Sequence, residues 1–126
     1  MLPLLANRTP PKVPDYTEGT WTPTWTGLTV VGAPTYTGRY TRIGRLVFFT
    51  VEIAAGGANT TASTAGTTFV NNLPLTSAQR GALVAVNENT VVSFGVGLVA
   101  LAATNAFTPT WAATNANILV SGWYEI

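Results

Sequence analysis

Residues 46–53, LVFFTVEI, alternate as a strand does, with Val47, Phe49, Val51 and Ile53 on one face and Leu46, Phe48, Thr50 and Glu52 on the other. The closing run ILVSGWYEI repeats the pattern: Ile118, Val120 and Tyr124 share one side, Leu119 and Trp123 the other. A strand with one wet face alternates cleanly between apolar and polar residues. Here Leu46, Phe48, Leu119 and Trp123 occupy positions that should be polar, and residues 91–101 are apolar on both sides as well. A small sandwich has a single interior, so either loops or another subunit must cover the second face. The second solution is the expected one, with Leu46, Phe48, Leu119 and Trp123 as interface candidates.

The rest of the chain also reads as β. Thr, Val, Ala, Gly and Asn dominate from Gly19 onward, and no segment carries a 3.6-residue apolar stripe. Residues 20–26, TWTPTWT, predict a strand with Trp21, Pro23 and Trp25 on one side and threonines on the other, Pro23 marking an edge or bulge. Further strands are expected over 36–43, 45–54, 67–71, 82–87, 90–101 and 118–126, with a tight turn at Ile43-Gly44-Arg45 and a hairpin turn at 87–89. Residues 56–66 (GGANTTASTAG), 103–106 and 114–117 read as turns or loops, with a short segment at 107–112. Short strands punctuated in this way predict an all-β fold, an antiparallel β-sandwich of jelly-roll type, over 19–126. Residues 1–18 hold half of the eight prolines and predict an extended N-terminal arm, with Leu2, Leu4 and Leu5 as apolar anchors for docking on another protein.

Composition narrows the chemistry. The chain has 126 residues, a net charge of +1 and no Cys or His, and 9% of its residues are charged, against about 25% in an ordinary soluble domain. Without a basic run there is no electrostatic footprint for nucleic acid. Without His or Cys, the usual zinc sites, thiol chemistry and His general bases are excluded. The longest nearly apolar run, residues 91–103, is about 13 residues, short of the roughly 20 a membrane helix needs. The N-terminus lacks the basic start and apolar stretch of a signal peptide, so export by that route is not expected. No cofactor or metal motif is present; Asn87, Glu88 and Asn89 offer calcium too few carboxylates.

Five carboxylates (Asp15, Glu18, Glu52, Glu88 and Glu125) offer no pair at a spacing that predicts a glycosidase, and no enzymatic role is expected. Arg39, Arg42 and Arg45 lie three apart; cross-strand or intersubunit pairing, Glu52 included, is their ordinary fate, and contact with an anionic glycan the sharper one. Trp111 beside the Asn-rich segment with Asn115 and Asn117, together with Asn59 and Thr60 in the 56–66 loop, are the candidates for receptor or glycan contact. A buried tryptophan remains the commoner outcome in a small β domain.

Four stretches in order carry a resemblance. GTWTPTWTGLTVVG (19–32), GRYTRIGRLVFFTVEI (38–53), NNLPLT (71–76) and SGWYEI (121–126) together resemble the β-sandwich module at the C-terminus of bacteriophage tail fibres and tailspikes. Leu75 stands where that family often has an aromatic. The resemblance implies a homotrimeric virion module at a tail fibre or particle surface that binds a host-surface glycan or protein, joined to another virion protein through the arm. With no fibre shaft before it, it implies a short standalone fibre, a head fibre or a capsid decoration protein. A purely structural decoration role and a monomeric carbohydrate-binding module are the alternatives. No catalytic residue carries over.

Overall fold

The computed structural model describes residues 15–55 and 59–126. Within them there is no helix; every element is a strand, and every pairing is antiparallel. The first half of the chain forms β1 (Tyr16–Trp21), β2 (Trp25–Thr26), β3 (Thr29–Val31), β4 (Thr35–Ile43), β5 (Leu46–Ala54) and β6 (Thr60–Ser63). The second half forms β7 (Phe69–Val70), β8 (Gln79–Asn87), β9 (Val92–Val99), β10 (Ala106–Phe107), β11 (Trp111–Thr114) and β12 (Ile118–Glu125).

Nine strands make one sheet in the order β1-β4-β5-β12-β8-β9-β10-β7-β2, and three make another in the order β11-β6-β3. The large sheet cannot be flat. Its first and last strands are joined by residues 22–24 alone, a reach of about 14 Å, whereas nine flat strands would separate them by roughly 38 Å. The sheet therefore curls, bringing Trp21 and Trp25 to either side of the buried Pro23. Thr20, Thr22, Thr24 and Thr26 face outward, as the alternation of TWTPTWT predicts.

The concave side is the core. Val47, Phe49, Val51 and Ile53 of β5, Ile118, Val120 and Tyr124 of β12, and Leu83 and Ala85 of β8 are buried there. The two-residue turn at Gly44–Arg45 works because Gly44 has φ +60°, the left-handed geometry that the first central residue of a type II′ turn needs. At the β8–β9 turn, Asn87 Oδ1 accepts from the Asn89 and Thr90 amides at 2.9 and 3.2 Å, an Asx turn that closes the predicted hairpin.

Three expectations change. Residues 16–18, assigned to the arm, belong to β1: Tyr16, Thr17 and Glu18 pair with Ile43, Arg42 and Thr41. Leu2, Leu4 and Leu5, with the rest of 1–14, lie outside the described residues. Residues 60–63, read as loop, form β6. Its inward face is Thr61 and Ser63, so no apolar alternation announces it. Finally, the 20–26 strand breaks in two at Pro23, which has no amide proton for a ladder.

Candidate functional site

The convex face of the large sheet can be mapped from its register. One row across it runs Glu18, Thr41, Phe48, Trp123, Ala82, Leu98; the next runs Thr20, Arg39, Thr50, Ser121, Val84, Val96. A third runs Thr37, Glu52, Leu119, Val86. The face is thus divided. Its β1-β4-β5 side is polar, and its β12-β8-β9 side is apolar, with Phe48 on the boundary.

The apolar half is open in the single chain. Phe48 is 46% exposed, Trp123 42%, Leu98 45% and Val96 78%; Leu46 and Val84 are also exposed, and Leu119 is half-buried. Taking about 150–250 Å² for each fully exposed large side chain, these residues present on the order of 500 Å² of apolar surface. That lies toward the top of the range for the largest patch on a soluble monomer, about 300–600 Å². It is also a large part of the roughly 800 Å² each partner contributes to a standard interface. The patch continues past Val96 and Leu98 into a shallow hollow of about 530 Å³ lined also by Gly97, Phe107 and Ala65.

The polar half centres on Arg39. The other two arginines of the β4–β5 hairpin are engaged. Arg42 lies 3.6 Å from Asp15 and donates to the Gly44 carbonyl at 2.9 Å; Arg45 lies 3.8 Å from Glu125 and donates to the Ile126 carbonyl at 3.2 Å. Arg39 forms no ion pair or hydrogen bond with any described residue, although Glu52 lines the same hollow. Glu52 instead meets Glu88. Desolvation first, and then the charge and hydrogen bond of Glu52, hold the Glu88 carboxyl above its ordinary range.

Most of the predicted glycan candidates have other work. Trp111 is only 3% exposed. It packs against Trp25 at 6.2 Å and Phe94 at 5.6 Å and donates its Nε1 proton to Thr61 Oγ1 at 3.1 Å. This corrects its assignment as a ligand residue, since no ring face is free for a sugar. Asn59 Oδ1 accepts from the Ala33 amide at 3.0 Å, and its amide group donates to the Ala55 carbonyl. Asn115 donates its backbone amide to the Asn59 carbonyl at 2.8 Å, and the Thr60 and Thr114 hydroxyls bond at 3.0 Å. Asn117 accepts from the Ala55 amide at 3.0 Å and donates its own backbone amide to Asn89 Oδ1 at 2.8 Å. The side chains of Asn59, Thr60 and Asn117 and the backbone of Asn115 thus brace the loops around β6 and β11, and the Asn115 side chain stays exposed.

Among the described residues no group of three or more acidic side chains is placed to hold a metal ion, and no helix is long and apolar enough to cross a membrane. Comparison with protein-family models, curated proteins and solved structures finds no match. The likeness to tail-fibre modules therefore rests on the four quoted motifs.

Proposed function

We propose that this chain is a non-enzymatic structural module of a phage virion, a jelly-roll-type β domain that assembles as a homotrimer at a tail fibre or particle surface and contributes to host attachment. The observation that carries the reading is the apolar half of the convex sheet face. Solvent is a poor neighbour for Phe48, Trp123, Leu98 and Val96 in one contiguous patch. The core of a protein interface is depleted in charge, and this half carries none on the rows through Phe48 and Val84. A second copy supplies a matching apolar surface without requiring any other gene product. The phage assignment and the number of copies come from the motif likeness.

Three copies also convert weak single contacts with a cell surface into avidity, provided all three sites engage together. The test is adsorption of fluorescently labelled, purified protein to a panel of bacterial cells. The reading expects saturable binding to some members, competed by excess unlabelled protein. Absence of saturable binding across the panel, with the protein folded, would overturn the attachment role and favour a purely structural one.

A further inference from the structure

The polar half of the convex face has a feature the fold itself does not use. Arg39 stands where three adjacent hollows meet. One, of about 360 Å³, is lined by Thr37, Thr50, Glu52 and Leu119; a second, of about 180 Å³, reaches Phe48; a third, of about 350 Å³, reaches Glu18 and Thr20. Two of these fall at the lower end of the volume range of small-ligand sites, about 300–1,000 Å³.

We propose that this Arg39-centred trough binds neutral sugar units of a cell-surface glycan, an inference that rests on the attachment role proposed above. A sugar hydroxyl both donates and accepts. The trough offers both partners side by side: the guanidinium supplies up to five N–H donors, the Glu52 carboxylate accepts, and the Thr37 and Thr50 hydroxyls do either. Leu119 in one hollow and Phe48 in the next mark the apolar edge of the trough, where it meets the face a sister copy would cover. Arg39 is available because it forms no ion pair with either carboxylate that lines its hollows, Glu18 or Glu52.

Charge selects neutral sugars over acidic ones. Glu18 and Glu52 flank Arg39 in the hollows. Two carboxylates against one unpaired guanidinium repel a uronate or phosphate. The location suits the proposed assembly too. The trough borders the apolar half at Phe48, so a sister copy seated there would wall one side and turn an open depression into a cleft.

The test applies the purified full chain to a printed array of neutral hexose and N-acetylhexosamine oligosaccharides, with uronate- and phosphate-bearing oligosaccharides beside them. The proposal expects binding to neutral spots, weakened roughly ten- to hundredfold by Arg39→Ala and by Glu52→Ala, as loss of hydrogen bonds to a charged group predicts. The sedimenting mass should not change. Neutral binding at full strength in Arg39→Ala overturns the site and leaves the attachment role standing. Binding confined to acidic spots, or cell adsorption with no array binding, overturns the ligand class alone. Absence of both array binding and cell adsorption overturns this inference and the attachment role together.

Discussion

Tyr124 joins the last strand to the segment that precedes β8, and removing one oxygen atom tests that link in two ways. Its side chain is fully buried, its ring lies 5.9 Å from Phe49, and its hydroxyl donates to the Leu75 carbonyl at 2.9 Å while accepting from the Leu75 amide at 3.3 Å. Tyr124→Phe keeps the ring and strands both Leu75 groups. A partly buried polar group left unpaired costs about 1–3 kcal/mol, and for a domain of this size that lowers Tm by roughly 3–15 °C. The second effect depends on pH. Burial, outweighing the hydrogen bond with Leu75, pushes the Tyr124 phenol up to about 12, whereas in the unfolded chain it titrates near 10. Between these values the unfolded state releases a proton that the folded state keeps. The stability held by the neutral phenol is therefore complete below about pH 10 and is lost as pH rises toward 12, by about 2–3 kcal/mol. Phenylalanine has no such proton, and the other tyrosines are common to both proteins. Urea unfolding of both proteins at equal concentration, followed by tryptophan fluorescence from pH 8 to pH 12, should show a wild-type advantage at pH 8 that vanishes or reverses by pH 12. A gap that stays constant with pH, or no gap at pH 8, would refute the reasoning.

Three further outcomes follow from the same geometry. Phe48→Asp places a charge on the apolar half of the convex face; the single chain tolerates it because Phe48 is exposed, but an assembled interface would bury it unpaired, so sedimentation should show dissociation with an unchanged far-ultraviolet circular dichroism spectrum. Gly81→Ala should fold poorly, since a Cβ there would lie 1.8 Å from the Trp123 carbonyl oxygen, backbone that cannot move without breaking the β8–β12 ladder; a soluble variant with wild-type Tm would contradict the packing. Trp111→Phe removes the bond to Thr61 and should cost about 1–3 kcal/mol in urea unfolding, while array binding stays at wild-type strength because the ring is internal.

Strands with an apolar interior face were legible in the sequence and those without one were not. β5 and β12 announce themselves through Val47, Phe49, Val51 and Ile53 and through Ile118 and Val120, and both faces of each were readable because hydrophobic residues break the expected alternation. β6 was illegible because its inward residues are Thr61 and Ser63, whose burial depends on partners 45–50 residues away in the chain, Thr108 and Trp111. The same distance hid the roles of Asn59 and Asn117, whose side chains look free in the sequence and brace backbone in the fold. Arg39 was visible only as one of three evenly spaced arginines. What sets it apart is where the carboxylates lie: Asp15 and Glu125 come from elements far apart in the chain, and each meets a different arginine. Register places Glu52 opposite Thr37 and Leu119, on the same face as Arg39, yet the two form no ion pair.

Sedimentation equilibrium of the purified full-length chain, in low salt and again in high salt, bears most directly on the covered sheet face. The account predicts a species near three times 13.2 kDa that persists in high salt, because apolar contacts are little screened by ions. A stable 13.2 kDa species at every concentration would contradict it.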